Sequence, residues 1–359
     1  MTGRYPARIS IGLLEPWIPS PRDNAIGLSS KDFSIATSLQ DVGYETALIG
    51  KWHLGTDSAF APRKNGFGYF YGIKTGAADY ISHRGDSGIF DMFENETLIN
   101  PKGYMTELLA SKAMEYLKHP HPNPFFLSLQ FTAPHWPWQG PDDKELPDSL
   151  LRTAKGMSSN GSPAIYAAMM TSLDDQVGRI TRLLNETGLS KNTVIIFTSD
   201  NGGEKFSDMG SFAKRKMNVW EGGVRIPAIV KWPGKVEPNS TSTQQVITMD
   251  WSATILAIAG ARTSQQFPLD GISLIPFLND SKKVIERTFY WRLTQRTKQH
   301  AVLEGKWKYI HDQDEDYLFD LSTDPGEKIN LKLTEDKKFR QLHRKYLDWE
   351  KTVLKPIAL

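Results

Sequence analysis

Residues Gly43–Gly55 read GYETALIGKWHLG and combine a short apolar run with two basic side chains at its end. The centre of the run, Ala47–Ile49, is apolar and glycines bound the stretch, which is typical of a strand covered on both faces. We expect this strand to occupy Glu45–Gly50. Side chains alternate along an extended segment, so Lys51 and His53 are predicted to project from the same side where the strand ends.

The composition of the chain limits its class. A chain of 359 residues can hold one large α/β domain with an appendage, or two domains. The 43 Lys and Arg residues nearly balance the 41 Asp and Glu residues, so we expect no basic stripe of the kind that binds nucleic acid. There is no cysteine, which excludes disulfides, thiolate metal sites and a cysteine nucleophile within these residues.

The sequence also lacks targeting signals. No apolar run reaches the roughly 18 residues that cross a bilayer. Met1 is followed directly by polar residues and not by a charged and then apolar leader. We therefore expect no membrane span and no export signal in the sequence as given, and the compartment stays open.

Apolar strands alternate with helical patterns over the first three quarters of the chain. The clearest helix starts at Pro163, because Ser162 can cap it and apolar residues then recur every three or four positions to Gly188. This alternation predicts the α/β class, with a largely parallel central sheet flanked by helices on both faces. The predicted elements are Ser29 or Ser30 to Gly43, Glu45–Gly50, Thr106–Lys118, Phe125–Phe131, Pro163–Gly188, Thr193–Ser199, Pro227–Trp232 and Trp251–Ala259.

Beyond about Pro276 the pattern changes to short, closely spaced strands. Such spacing predicts a small antiparallel sheet with a closing amphipathic helix. We therefore predict an α/β domain over residues 1–275 and a C-terminal antiparallel subdomain over residues 276–359. The predicted elements are Thr288–Leu293, His300–Leu303, Lys306–His311, Tyr317–Asp320 and the helix Phe339–Leu354.

Polar side chains follow or precede each buried run, at the strand ends where doubly wound sheets bind ligands. Taken singly, each has an ordinary explanation as a loop histidine, a turn residue or a solvated lysine. Together they supply two lysines, two histidines, a carboxylate and a carboxamide, which suits a dianionic ester beside a hard divalent cation. These candidates are Lys51, His53, His135, Asp200, Asn201 and Lys216.

Four segments resemble those of the sulfatases, a family of the alkaline-phosphatase-like superfamily. They read GYETALIGKWHLG, APH, SDNGG and WEGGVRIPAIVKWPG, and they occur in the family's order at compatible spacing. The resemblance covers nearly the whole chain, from TGRYP to the terminal sheet. It implies a sulfuric ester hydrolase that acts on aryl or carbohydrate sulfates with metal assistance.

The resemblance also implies a role for each candidate. Asp200 and Asn201 would coordinate one Ca²⁺ through oxygen. Lys51 and Lys216 would hold sulfate oxygens. The partner implied is a small-molecule or glycan sulfate ester, without nucleic acid, and the oligomeric state stays open.

The two histidines would act around a nucleophile that this sequence lacks. In the family, a Cys or Ser in the motif Cys or Ser-x-Pro-Ser-Arg becomes formylglycine. His53 would deprotonate its hydrated aldehyde, and His135 would protonate the departing alcohol. Neither this motif nor the family's paired aspartates precede TGRYP. We therefore expect an N-terminally incomplete catalytic domain that is inactive as written.

Two alternatives remain open at this point. The chain could be a non-catalytic sulfatase remnant that binds sulfated ligands. It could also hydrolyse phosphate or phosphonate esters, as other members of the superfamily do. Two-metal phosphatases use more carboxylate and histidine ligands, so Lys51, His53 and Lys216 match the single-calcium sulfatase pattern better. Specificity is expected in Gly55–Gly103, Asp142–Asn160 and the terminal sheet, and compartment is open although such enzymes are often exported.

Overall fold

The computed structural model describes residues 1–15, 26–295 and 297–357. This part of the chain forms two compact units that interleave along the sequence. The predicted division near residue 275 stays a prediction. The first unit comprises Met1–Thr2, the described part of Pro19–Thr193, and Ile255–Leu269, and the second comprises the described part of Gly3–Ile18, Val194–Thr254, and the described part of Asp270–Leu359.

The first unit is built on a mixed five-stranded sheet. Its strand order is β4-β3-β2-β1-β5, in which β1 runs parallel to β2 and β5 while β3 pairs antiparallel with β2 and β4. The predicted first strand is confirmed, residue for residue. The elements are α1 (Ile35–Gln40), β1 (Glu45–Gly50), β2 (Tyr69–Gly72), β3 (Phe93–Glu94), β4 (Thr97–Leu98), α2 (Met105–Lys118), β5 (Phe125–Gln130), α3 (Asp148–Leu151), α4 (Ala154–Met157) and α5 (Pro163–Glu186).

Helices cover both faces of this sheet, as predicted. Consecutive residues of a strand point to opposite faces. Phe125 of β5 meets Tyr116 of α2 edge to face at 6.2 Å between ring centroids. Its neighbour Phe126 packs instead in a cluster with Ile35 and Leu39 of α1. The helices α1 and α2 therefore lie on opposite faces of β5.

Helix α1 starts later than the sequence suggested. Ser34 caps it, because its Oγ accepts a hydrogen bond from the amide of Ala36 at 3.2 Å. Ser29 and Asp32, expected to cap the helix, form a separate turn in which the Ser29 amide donates to Asp32 Oδ2 at 3.2 Å. The prediction of a helix from Ser29 or Ser30 was wrong because Ser-x-x-Asp spacing also suits an isolated turn.

Strand β5 lies at the edge of the sheet. Among the described residues, β1 is its one ladder partner. All the residues of β5 are half-buried, although the sequence predicted a buried strand, whereas Thr46–Gly50 of β1 are buried. An edge strand has a covered side and an open side, which accounts for the difference.

The rest of the described chain contains two further sheets. The four-stranded sheet has the order β11-β10-β9-β8, and all of its pairs are antiparallel, as predicted. Helix α9 packs on it through Leu342, Tyr346 and Trp349. The elements are β6 (Ile195–Thr198), α6 (Glu221–Val224), β7 (Ala228–Lys231), α7 (Thr248–Ala259), α8 (Ile275–Asn279), β8 (Thr288–Leu293), β9 (Gln299–Glu304), β10 (Trp307–Asp312), β11 (Glu315–Asp320) and α9 (Asp336–Glu350).

Strands β6 and β7 pair with each other in an antiparallel ladder. The sequence predicted both as fully apolar members of a parallel sheet, but Phe197 is 39% exposed and Ile229 is 62% exposed. Parallel neighbours need a long crossover, usually a helix. The segment between these strands carries only the short α6 as a helix, so the chain returns antiparallel.

A half-buried histidine makes the stability of the second unit depend on pH. His300 Nε2 donates to the Tyr309 hydroxyl at 3.1 Å, because that hydroxyl donates its own proton to Asp316 Oδ1 at 3.0 Å. The His300 ring also stacks on Tyr346 with 3.7 Å between centroids. Burial, with the neighbouring His311, lowers the pKa of His300 to about 3.

We predict that acidification destabilises this unit. An unfolded histidine takes up its proton near pH 6.5, so the unfolded state binds more protons below that pH. The contribution of neutral His300 is fully present above about pH 6.5, and the free energy of unfolding falls by about 1–2 kcal/mol between pH 6.5 and 5. Urea unfolding of His300→Gln should show a shallower pH dependence, while the exposed His119→Gln should match wild type. Equal slopes for all three proteins would contradict this.

Within the described residues, no helix is both long enough and apolar enough to cross a bilayer.

Candidate functional site

The end of β1 lies against the end of β5. Gly50 pairs with Gln130 in the parallel ladder, and the amide of Lys51 donates to the Gln130 carbonyl at 2.9 Å. A Cβ on Gly50 would lie 1.8 Å from that carbonyl oxygen, and Gly50 has a φ of 121°, so a glycine is required here. The segments that carry Lys51 and His135 therefore follow the adjacent carboxyl ends of β1 and β5.

His53 follows the carboxyl end of β1 in an unusual backbone conformation. Its φ is 50°, and its amide donates to the Lys74 carbonyl at 3.1 Å. Trp52 is buried, while Lys51 is half-buried and His53 is exposed. That Lys51 and His53 project from the same side stays a prediction, because the positive φ of His53 interrupts the extended backbone on which it rests.

The loop that follows β2 forms a wall beside the His53 imidazole. A Cβ on Gly76 would lie 2.6 Å from His53 Cε1 and 2.7 Å from Nε2. The carboxylate of Asp91 fixes this loop, because it accepts from the amides of Lys74 and Thr75 at 3.2 and 2.9 Å. It also accepts a bond from the Thr75 hydroxyl. Burial raises the pKa of Asp91, and its hydrogen bonds from Thr75 and Lys74 oppose that rise.

We predict that Gly76→Ala displaces the imidazole of His53. The new methyl group cannot occupy its place unless the exposed ring shifts, since contacts under 3.0 Å are not tolerated. The shift should appear in the ¹H–¹⁵N imidazole NMR signals of His53, with a change in unfolding free energy below about 1 kcal/mol. Gly85→Ala is the matched control, because its nearest neighbour would lie at 3.4 Å. Unchanged His53 signals in Gly76→Ala would contradict the packing.

His135 is held in one tautomer. Its Nδ1 lies 2.7 Å from the carbonyl oxygen of Trp136, which can only accept, so Nδ1 carries the proton of the neutral ring. The amide of His135 donates to Thr132 O at 2.8 Å, and the Tyr80 hydroxyl donates to His135 O at 3.1 Å. Burial raises the pKa of Tyr80 well above its ordinary value, so Tyr80 stays a neutral donor.

A fully buried carboxylate, Asp79, ties together the loops around His135. It accepts from the amides of Ile81 and Ser82 at 2.9 and 2.6 Å, and from the amide of Leu146 at 2.8 Å. It also accepts from Gln139 Nε2 at 2.8 Å. Four donors offset the free-energy cost of burying one charge, and their hydrogen bonds link these loops to one another.

Asp200 and Asn201 occupy the turn after β6. Asp200 is exposed and Asn201 is half-buried. Asn201 Nδ2 donates to Gly202 O at 2.9 Å, and Ser199 Oγ donates to Asn201 O at 3.0 Å. The Asn201 amide therefore keeps its oxygen, Oδ1, as an acceptor toward other groups.

This turn packs backbone to backbone against the segment at α6. The amide of Gly202 donates to Gly223 O at 2.9 Å, and a Cβ on Gly202 would lie 2.0 Å from Gly222 O. The amide of Lys216 donates to Gly203 O at 2.9 Å. The structure thus brings Asp200, Asn201 and Lys216 into one loop cluster.

The ammonium of Lys216 faces a carboxylate. Lys216 Nζ lies 3.6 Å from Glu204 Oε2, and the two side chains are 12% and 22% exposed. Glu204 thus holds the Lys216 side chain toward the loop cluster. The sequence did not single out Glu204, because a glutamate after Asn-Gly-Gly is an ordinary loop residue.

Each unit therefore holds half of the predicted site. In the first unit, the segments after the carboxyl ends of β1 and β5 carry Lys51, His53 and His135. In the second unit, one loop cluster carries Asp200, Asn201 and Lys216. The convergence of all six on one pocket stays a prediction. Sequence reasoning missed Gly76, Asp79, Tyr80 and Asp91, all within the stretch Gly55–Gly103, because their partners are set by tertiary contacts.

Asp200 and Asn201 supply part of the set of oxygen ligands that a calcium ion needs. In the described part of the chain, no three His, Asp or Glu side chains cluster as a metal site. Asp200 and Asn201 offer neighbouring carboxylate and amide oxygens, which are the ligand types that Ca²⁺ prefers. They fit in kind and supply part of a shell of roughly six to eight ligands.

Comparisons with known proteins identify the family. Residues 1–261 match the sulfatase family, and residues 207–351 match the family described as N-sulphoglucosamine sulphohydrolase, C-terminal. The chain therefore belongs to the sulfatase family.

Individual proteins agree with this assignment. Over 314 residues the chain is 30% identical to an N-acetylgalactosamine-6-sulfatase of Mus musculus, covering 81% of this chain and 58% of that protein. It is 29% identical to an arylsulfatase of Hemicentrotus pulcherrimus, covering 92% of this chain and 67% of that protein. The chain thus spans between about half and two thirds of these relatives.

A solved structure described as Ps i-CgsB has a TM-score of 0.85 at 26% identity, covering 99% of this chain and 81% of that protein. The same protein has been solved with a k-i-k-neocarrahexaose. The phosphonate monoester hydrolase of Agrobacterium radiobacter shares the fold at a TM-score of 0.59 and 16% identity.

Proposed function

We propose that this chain, in its natural full-length protein, hydrolyses sulfate esters of carbohydrates. Membership of the sulfatase family supports the reaction, and the names of the mouse relative and of the structure in complex with k-i-k-neocarrahexaose support the carbohydrate class. The observation that carries the proposal is the pairing of β1 with β5 up to Gly50 and Gln130. The segments of Lys51, His53 and His135 follow these two strand ends, and the bond to the Trp136 carbonyl sets the tautomer of His135, which supports a role for these residues.

His135 is proposed to act on the leaving alcohol. Cleavage of the bond between sulfur and the bridging oxygen leaves an alkoxide, which a sugar cannot release without a proton. An imidazolium at His135 would donate that proton from Nε2 while Nδ1–H stays on the Trp136 carbonyl. His53 would remove a proton from the attacking hydroxyl of the nucleophile.

Lys51 and Lys216 are proposed to bind the nonbridging sulfate oxygens. Two ammonium groups offset the charge that these oxygens carry in the transition state. Asp200 and Asn201 would hold Ca²⁺, which when bound would withdraw further charge from the sulfate. Glu204 would position Lys216, because it already holds that ammonium at 3.6 Å.

The nucleophile is proposed to be formylglycine. The Cys or Ser-x-Pro-Ser-Arg motif that would carry it does not occur in residues 1–359. We therefore propose that residues 1–359 by themselves are inactive, and that activity requires a segment that supplies this motif.

The role of His135 is tested by changing the leaving group. In the full-length protein, His135→Gln should lower kcat on a sugar sulfate by about 10²- to 10⁴-fold. Hydrolysis of 4-nitrophenyl sulfate, whose phenolate leaves without a proton, should fall much less. His119→Gln is the control, because His119 is an exposed histidine after α2. Equal losses on both substrates would contradict an acid role.

The same assay separates the alternatives. A sulfatase should hydrolyse 4-nitrophenyl sulfate faster than 4-nitrophenyl phosphate, and dominant phosphate turnover would overturn the proposal. Binding of a sugar sulfate by the full-length protein without turnover of either ester would instead support a non-catalytic remnant.

A further inference from the structure

Two adjoining cavities in the first unit share one arginine. The larger has a volume of about 580 Å³ and the smaller about 310 Å³, and Arg84 lines both. Ser82, Lys102 and Lys144 also line the larger cavity, and Arg152 lines the smaller one. We call this pair of cavities the Arg84 trough.

The charges of the trough suit a ligand that carries both anionic groups and hydroxyls. Within the described ranges, Lys102, Lys144 and Arg152 have no carboxylate at ion-pair distance, so their cationic ends can meet a ligand. Arg84 pairs with Asp148 at 2.7 Å and lies 5.1 Å from the Phe90 ring centroid, so its guanidinium is held in place. Sulfate or carboxylate oxygens would accept from the cations.

Carboxylates are also present to accept from hydroxyl groups. Asp143 and Glu145 line the larger cavity, and Asp143 already accepts from the amide of Gly140 at 2.7 Å. These carboxylates would repel a uniform polyanion such as a nucleic acid, because contact between like charges is unfavourable. An acidic sugar presents both kinds of group on each ring.

Hydrogen bonds join the trough to the loop that carries His135. Asp79 accepts from the amides of Ile81 and Ser82, which line the trough, and from Gln139, which follows His135 in the same loop. It also accepts from the amide of Leu146, next to Glu145, which lines the larger cavity. The Tyr80 hydroxyl donates to His135 O. The residues of the trough are therefore linked to the segment of His135 through Asp79 and Tyr80.

We propose that the Arg84 trough binds an anionic sugar residue adjacent to the residue whose ester is cleaved, so that the protein recognises sulfated oligosaccharides. Lys102 and Lys144 bind its sulfate or carboxylate. This inference rests on the proposed function, which it extends from a single sulfated sugar to a sulfated chain.

The test is isothermal titration of the 1–359 chain with tetrasaccharides of chondroitin 6-sulfate and of carrageenan. Lys102→Gln and Lys144→Gln should each weaken binding of at least one tetrasaccharide by about five- to ten-fold. Raising the salt from about 50 to 200 mM should weaken wild-type binding further, because exposed charges are screened. Lys118→Gln, at an exposed lysine of α2, is the matched control and should leave the affinity unchanged.

The results for the trough and for the proposed function can be told apart, because binding and hydrolysis are measured separately. Binding that is absent in wild type, or equal in wild type and both variants, overturns the trough. If the trough variants behave as expected but the full-length protein hydrolyses neither sugar nor aryl sulfate, the proposed function fails while the trough stands as a glycan-binding site.

Discussion

Expressed as residues 1–359, the protein is expected to hydrolyse aryl sulfates at no measurable rate. The chain has no cysteine and no Ser-x-Pro-Ser-Arg motif from which formylglycine could be made. Removing the nucleophile alone commonly lowers turnover by several orders of magnitude. Asp200 and Asn201 also supply only part of a calcium shell, which should add to the loss.

The measurement compares this chain with a form extended by any in-frame coding sequence upstream of Met1. Both are expressed in a host that makes formylglycine and assayed on 4-nitrophenyl sulfate with added Ca²⁺. Only the extended form should turn over substrate, and chelation of Ca²⁺ should abolish that activity. Comparable calcium-dependent turnover by both forms would show that the nucleophile has been assigned to the wrong segment.

The same comparison tests the open edge of β5. We expect a further strand to pair there, because β5 has no second ladder partner among the described residues and all of its residues are half-buried. The extended form should then unfold at a higher urea concentration, with a larger dependence on urea. Equal midpoints would argue against such a strand.

Loss of one buried lysine is expected to destabilise the protein severely. Lys308 Nζ lies 2.8 Å from Glu221 Oε1 and 2.9 Å from Glu327 Oε1, and the side chains of Lys308 and Glu327 are fully buried. Glu327 Oε2 also accepts from the amide of Glu221 at 2.7 Å. Burial raises the pKa of Glu327, and the nearby Lys308 opposes that rise.

In Lys308→Met the two carboxylates stay buried without their shared cation. Breaking a buried ion pair from one side costs about 3–5 kcal/mol, so the free energy of unfolding in urea should fall by that amount. The triple variant Lys308→Met, Glu221→Gln, Glu327→Gln should recover part of the loss, because it removes the stranded charges as well. Lys306→Met is the control, since Lys306 is 51% exposed in its pair with Asp320 and should cost at most about 1 kcal/mol. A loss below about 1 kcal/mol in Lys308→Met would contradict the role of the cluster.

The ion pairs of Lys308 with Glu221 and Glu327 also support a segment of the candidate site. Glu221 opens α6, whose glycines pack on the turn that carries Asp200 and Asn201. We therefore expect loss of Lys308 to loosen that turn before the whole unit unfolds. Amide hydrogen exchange at Gly202 and Gly223, which share a hydrogen bond, would report such loosening.

The sequence was sufficient where a signal is local. Alternation of apolar residues and bounding glycines defined β1, and Ser162 with Pro163 defined the start of α5, as found. The candidates Lys51, His53 and His135 could be named because polar residues directly follow apolar runs. Local spacing determines these features, since strand and helix periods act over a few residues.

Only the tertiary structure decided which distant groups meet. Asp79 bonds to Gln139 and Leu146, and Lys308 meets Glu221, across 60 to 87 positions of sequence. The pairing of β6 with β7, the open edge of β5 and the late start of α1 likewise depend on neighbours that no local pattern contains. The sequence by itself determined the family, the first strand and the residues at the strand ends. The fold decided their partners, because buried charges and unpaired backbone are satisfied by whatever group packing brings within hydrogen-bond reach.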